Sequence, residues 1–430
     1  MAEFKREKEV KELVSFIGNH KVNIVAGLRR SGKTYLLTDL FVNYLVDNSI
    51  YKKNEIGVLK LSDEDRNITN LKLLSEAITD FVNSGIKVLI VDEAQMVNGY
   101  VDFYKNFIKN YQNITLFISG SNSDILSIDI INHFKELANP LYLNSLTYKE
   151  IIKDKPDYSF EEYMIYGGLP AIINEAPEKR VAELQKIYNE IYKFDIRDRL
   201  EKKLDYLSKK HIDEILSLVA SSASAFSPSQ VASRFSKGVD YTKFDAMKLI
   251  KEIGDVLEFF ELSFLTSHIE VDDFNEKVPL KNIGLNKKYY FSDNGLRYVN
   301  CDSENKAGSN CLENAVYLEL VSRGIKPSGK ILLNKKHEND GEFDFCYSLN
   351  DQNYYWQVTY SITSVNKNRE IEIFDLVSDN VFKGVIYVYN LLNEYKDGIT
   401  FFKEKDFFVN LWGWNNERKR NYWRNSKCCC

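Results

Sequence analysis

Residues 27–34 read Gly27-Leu28-Arg29-Arg30-Ser31-Gly32-Lys33-Thr34 and satisfy G-x-x-x-x-G-K-[ST] at every fixed position. No other stretch of the chain restricts its fold as much. Such a loop works only between a buried strand and a helix. Its two glycines turn the backbone so that N–H groups converge on phosphate oxygens at the positive end of the helix. The flanks comply: Val22-Asn23-Ile24-Val25-Ala26 suits a buried strand, and Tyr35-Leu36-Leu37-Thr38-Asp39-Leu40 continues as a helix. The octet therefore predicts ATP as ligand, with Lys33 a point charge at the β- and γ-phosphates and Thr34 an oxygen for Mg²⁺.

A second motif follows in the right order. Lys87-Val88-Leu89-Ile90-Val91-Asp92-Glu93 is an apolar strand ending in two acids, and open parallel sheets bind ligands at the carboxyl ends of their strands. Asp92 is expected to hold Mg²⁺, directly or through water, and Glu93 to polarise the water that attacks the γ-phosphate. An apolar strand before Asp-Glu says little alone; behind a phosphate loop it is specific. A further strand, 114 to 119, runs into Gly120-Ser121-Asn122-Ser123. Asn122 is read there as a sensor of the γ-phosphate or an orienter of water, the alternative being a plain turn of small polar residues.

With 430 residues the chain has room for two or three domains. Residues 1–146 alternate strand-like and helix-like segments, the pattern of an α/β fold with a parallel sheet, with further strands at 56–61 and 140–143. Residues 147–205 are predicted as a helical lid around the punctuated stretch Tyr166-Gly167-Gly168-Leu169-Pro170. Residues 206–286 have winged-helix spacing, with helices near 209–222, 228–235 and 241–257 and extended segments after them. Between 227 and 288 nine Lys or Arg face ten Asp or Glu, so a packing module fits that segment as well as a DNA reader does.

Residues 287–410 form a second α/β unit, with a helix at 312–323 and strands at 343–347, 354–358 and 384–388. In the tail, 411–430, Trp412, Trp414, Tyr422 and Trp423 lie among Arg418, Lys419, Arg420, Arg424 and Lys427. That mixture suits nucleic acid, a membrane surface or a docked chain end. The net charge of −5 argues against a general nucleic-acid coat, and no apolar run is long enough to span a bilayer. The charged opening Met1-Ala2-Glu3-Phe4-Lys5-Arg6 has no secretory pattern, so a soluble cytoplasmic protein is expected. Cysteines at 301, 311, 346 and 428–430 form no CxxC pair and read as reduced thiols. The terminal Cys428-Cys429-Cys430 is compatible with acylation, with a cloning scar or with no role.

The motifs resemble one family. The phosphate loop, Val91-Asp92-Glu93-Ala94-Gln95, Ser119-Gly120-Ser121-Asn122-Ser123, Tyr166-Gly167-Gly168-Leu169-Pro170 and Tyr290-Phe291-Ser292-Asp293-Asn294-Gly295-Leu296-Arg297 recur in that order in prokaryotic AAA+-type ATPases. The resemblance covers nearly the whole chain. It implies a P-loop ATPase core, a winged-helix-like middle and a C-terminal restriction-endonuclease-like domain of unknown function. The corresponding C-terminal motifs are Glu313-Asn314, Gly341-Glu342-Phe343-Asp344-Phe345, Gln357-Val358 and Arg369-Glu370. A working nuclease of that fold needs acids on Mg²⁺ and a lysine two residues after the second motif. Glu313, Glu342, Asp344 and Gln357 would supply the first, but Thr359 stands at the lysine position, so the site is expected to be degenerate, with Lys367 the nearest replacement.

Relatives also carry an arginine just before the strand at 140–143, whereas Asn132-His133-Phe134-Lys135-Glu136-Leu137 has none. Lys135 lacks the planar fork that grips phosphate in two places, which leaves Arg29 or Arg30 to act in cis. Three functions follow from the resemblance and the residues. They are an ATP-driven switch acting on a protein partner, an ATP-regulated DNA-binding protein or nuclease, and a nucleotide-gated adaptor that does not hydrolyse.

Overall fold

The computed structural model describes residues 3–61, 68–120, 134–197, 200, 204–222, 224–235, 243–274, 287–301, 308–332, 341–392 and 395–410. Its first sheet holds β1 (Val22–Ala26), β2 (Ile56–Lys60), β3 (Val88–Asp92), β4 (Thr115–Ser119) and β5 (Ala138–Tyr142) in the order β2-β3-β4-β1-β5, all parallel. Every residue of β1, β3 and β4 is buried, as continuous apolar runs covered on both faces should be. Alternation along β1 divides the covering helices. Val25 packs with residues of α1 (Glu7–Ser15) and of the helix that begins as α2 (Lys33–Tyr35) and runs on through Leu36–Phe41 and Val42–Asp47. Ile24 faces the other way, toward α3 (Leu71–Asn83) and α4 (Tyr100–Asn110). The octet thus leaves the carboxyl end of β1, level with Asp92 at the end of β3 and Ser119 at the end of β4.

A helical unit follows: α5 (Tyr148–Asp154), α6 (Phe160–Tyr166), α7 (Pro170–Ile173), α8 (Arg180–Ile191), α9 (Lys209–Ser221), α10 (Pro228–Phe235) and α11 (Lys243–Leu262). The second sheet contains β6 (Thr266–Phe274), β7 (Lys287–Phe291), β8 (Ser328–Leu332), β9 (Gly341–Leu349), β10 (Gln352–Ile362), β11 (Phe382–Asn390) and β12 (Thr400–Lys403). Their order is β12-β11-β10-β9-β8-β6-β7, with α13 (Ser309–Ser322) packed against it, while α12 (Asn294–Asn300) contributes Leu296 to the core of the helical unit.

The extended segment expected after the third helix is β6, whose near half pairs antiparallel with β7. The far half of β6, from Val271 to Phe274, pairs in parallel with β8, so the hairpin is the edge of the C-terminal sheet. An open edge of unpaired N–H and C=O groups recruits such a strand.

Two glycine-bearing motifs more than a hundred residues apart meet beside this edge. Asp293 caps α12, its carboxylate accepting from Gly295 N at 2.9 Å and Leu296 N at 3.2 Å, and it also accepts from Gly168 N at 2.8 Å. Gly168 O in turn accepts from Leu146 N at 2.9 Å. A Cβ on Gly168 would lie 2.0 Å from Leu146 O, and one on Gly295 2.4 Å from Tyr166 O. Only backbones without side chains approach so closely.

Candidate functional site

The loop geometry follows from its glycines. Gly27 (φ 148°) and Gly32 (φ 98°) take conformations that side chains disfavour, and a Cβ on Gly27 would meet Leu143 O at 2.3 Å. Lys33 is buried, its Nζ donating to Gly27 O and Leu28 O at 2.9 Å each. Thr34 Oγ1 donates to Asp92 Oδ2 at 2.8 Å, and Ser119 Oγ donates to Asp92 Oδ1. Asp92 therefore stands between the loop and β4, buried and held through both oxygens.

Glu93 leaves β3 in the left-handed region (φ 57°), which swings its carboxylate off the strand line, and Gln95 Nε2 donates to Glu93 Oε2. Ser31 Oγ and Gln95 Oε1 are buried with no hydrogen-bond partner among the described residues. Such orphans are few in proteins, and a ligand is one of the groups that can meet them.

Three contributors escaped the sequence reading. Ser119 and Gln95 stood inside quoted motifs, and their signal was a polar residue at or just past the carboxyl end of an apolar strand. Arg6 had no signal. It is buried in front of α1, donates from Nη2 to Asn144 O at 2.7 Å and to Ser31 O at 3.4 Å, and so ties the chain start to the phosphate loop. Of the two arginines expected to act in cis, Arg30 (φ 68°) turns away and pairs with Glu190 of α8 at 3.2 Å. Leu28 also points toward the helical unit. It is 2% exposed, in a core shared with Leu169, Ile172, Leu184, Ile187 and Leu296. Asn122, the side chain of Lys135 and the tail 411–430 lie outside the described residues.

The C-terminal acids do converge, but on a lysine. Lys288 of β7 is buried with its Nζ 2.7 Å from Glu313 Oε1, 3.3 Å from Asp344 Oδ1 and 3.4 Å from Glu342 Oε1. Burial alone would depress this ammonium, but the three carboxylates outweigh it and hold it above the ordinary lysine range. Burial pushes the carboxyls of Glu313 and Glu342 up, with Lys288 opposing. Of the residues expected as a degenerate nuclease site, Glu313, Glu342 and Asp344 thus gather around a side-chain ammonium.

Gln357 is a bracket, its Oε1 accepting from Asp344 N at 3.0 Å and its Nε2 donating to Arg369 O at 3.0 Å. The lysine among these acids is Lys288, from the edge strand. Among the described residues no group of three or more His, Cys, Asp and Glu side chains is arranged to hold a metal ion. Glu370 completes the acid set, buried beside Arg369 at 2.6 Å and pushed up to about 7 by burial and by the charge of Asp344.

Against known proteins, residues 19–152 match the model of an AAA domain and residues 157–305 match a domain of unknown function. An uncharacterized protein of Haemophilus influenzae is 26% identical over 368 residues, covering 83% of this chain and 87% of the relative. One from Methanocaldococcus jannaschii is 26% identical over 387 residues, covering 84% and 81%. Among solved structures, the ORC2 protein of Aeropyrum pernix, in ADPNP-ADP complexes, covers 61% of this chain and 84% of its own at 12% identity. Its TM-score of 0.34 is too low to carry a shared architecture. No helix of the described residues is long and apolar enough to cross a membrane. The octet, the parallel sheet beneath it and the AAA match together mark residues 19–152 as a P-loop nucleotide-binding domain similar to AAA domains.

Proposed function

We propose that ATP binding and Mg²⁺-dependent hydrolysis at this loop drive a conformational switch in the helical and C-terminal units, which act in turn on a protein partner. The observation that carries this reading is Leu28: a residue of the phosphate loop has its side chain in the core of the next unit. A loop that adjusts to phosphates must move that side chain, and close-packed interiors pass such shifts on rather than absorb them. The path continues through Leu169 and Pro170 to Gly167-Gly168, then to Asp293, α12 and β7.

In this reading Lys33 exchanges two neutral carbonyls for phosphate oxygens. Thr34 Oγ1 and Asp92, 2.8 Å apart, are hard oxygen donors of the kind Mg²⁺ prefers, and Ser31 Oγ is free to meet a phosphate. When bound, the ion neutralises charge that builds on the phosphates during transfer. Glu93 orients and deprotonates the attacking water, with Gln95 steadying its carboxylate. The C-terminal unit, restriction-endonuclease-like in this proposal, serves as a binding or structural element without cleavage, which Lys288 at the centre of its acids supports.

Hydrogen exchange with and without ATP, in a Glu93→Gln background that retains nucleotide, tests the switch. Protection should change in α7, α8 and α12, and Leu28→Ala should keep ATP binding but remove that response. Changes confined to residues 19–152 in the Glu93→Gln protein would sink the proposal.

A further inference from the structure

A cavity of about 360 Å³ lies between α6, the ends of β10 and β11 and the residues after β12, walled by Phe160, Met164, Cys311, Tyr360 and Tyr389 with Glu404 beside them. Glu404 is 7% exposed, and its Oε2 has no hydrogen-bond partner among the described residues. The walls are built. Tyr360 and Tyr389 meet edge to face at 5.6 Å, and Phe160 is backed by Phe408 at 4.9 Å and Tyr148 at 5.2 Å. The other charged residues at the cavity, Glu161, Lys403 and Lys405, are exposed at its rim.

We propose that this cavity binds an organic cation with N–H donors, a primary ammonium or guanidinium on an aliphatic stem, using Glu404 as its counter-charge and Tyr360 and Tyr389 as its walls. Each part of the site selects that class. A carboxylate withdrawn from water stays costly until a charged donor meets it, and burial accordingly pushes the Glu404 carboxyl up, a hydrogen bond from its own backbone and the neighbouring lysines only partly opposing. Aromatic faces attract cations most strongly in such partly dry surroundings. An anion would be repelled, and a neutral apolar molecule would leave Oε2 unmet. The volume lies in the range of small-ligand sites and admits one extended amine or guanidine.

Titration calorimetry on the full chain with agmatine, 1,5-diaminopentane and neutral 1-pentanol tests this. The two amines should bind and the alcohol should not. Glu404→Gln should weaken amine binding at least about tenfold through loss of the charge-assisted bond, and Tyr389→Ala, at an exposed position, should weaken it severalfold. Unchanged ATP affinity in both variants certifies their folding, and Glu404→Gln should melt no lower than the parent because it removes a buried charge whose Oε2 has no partner among the described residues. An acetylated, amidated arginine tripeptide serves as a second arm. Tighter binding of the tripeptide than of agmatine assigns the site to a protein side chain, and the reverse assigns it to a free amine. Absence of binding by every cation up to about 10 mM, or equal binding by Glu404→Gln or by pentanol, overturns the proposal.

Discussion

Lys288→Met removes the ammonium from the acid cluster while keeping an apolar stem of similar length. The Lys288 side chain is 3% exposed and that of Glu313 5%, so water cannot take over the lost contacts. After the change, Glu313 Oε1 keeps only the Tyr290 hydroxyl at 2.7 Å, and Asp344 and Glu342 lose their shared cation. Removing one partner of a buried ion pair costs about 3–5 kcal/mol. For a unit of this size that corresponds to a fall in melting temperature of roughly 6–20 °C.

The loss depends on pH with a definite sign. Burial already favours protonation of Glu313 and Glu342, and a neutral carboxyl needs no cation, so the penalty should be greatest near pH 8 and shrink toward pH 5. Differential scanning calorimetry reads the affected transition without assuming that the whole chain unfolds in one step. Fluorescence of Trp356, buried in the C-terminal core, assigns it to that unit. Glu313→Gln added to Lys288→Met should restore most of the loss. A single variant within about 1 kcal/mol of the parent at pH 8, or one whose penalty grows on acidification, would show that Lys288 does not hold the cluster together.

Lys33→Ala should weaken ATP binding, whereas Glu93→Gln should keep binding and slow hydrolysis by roughly 10²–10⁴; equal turnover by Glu93→Gln in a phosphate-release assay would remove Glu93 from the base role. Gly168→Ala should destabilise by about 1–3 kcal/mol, since its Cβ would sit 2.0 Å from a backbone oxygen; a denaturant midpoint equal to the parent's would mean the joint has slack. Glu370, with a carboxyl pushed up to about 7, contributes stability fully below its unfolded range and loses it as pH rises through 7. Glu370→Gln should therefore flatten the stability profile between about pH 5 and 8, which a melting series at several pH values reads. Purified protein should not cut DNA with Mg²⁺ or Mn²⁺, with or without ATP, and cleavage abolished by Asp344→Ala would return the nuclease reading to first place.

The parts legible in the sequence are those governed by short-range rules. Two glycines and a lysine at set spacing after an apolar strand are enough to specify a phosphate-type loop, because the turn, the helix start and the charge all lie within eight residues. An apolar run ending in Asp92-Glu93 marks a strand's carboxyl end for the same reason, and the helices at 209–221 and 228–235 follow from local periodicity and from capping by Ser208 and Ser227. The sheet edge is different. Whether the extended segment after α11 stays apart or joins the margin of a larger sheet depends on which strand has unpaired groups to offer, and β8 follows β7 by nearly forty residues with α12 and α13 between them. Only that pairing carries Lys288 to Glu342 and Asp344, 54 and 56 residues away in the chain, and turns a set of acids that reads as a metal site into one closed around an ammonium. Leu28 makes the same point inside the octet, where its position tolerates any residue. Its burial in one core with Leu169 and Leu296 arises because the helical unit folds back over the loop, and a side chain's surroundings across that distance are set by packing rather than by spacing.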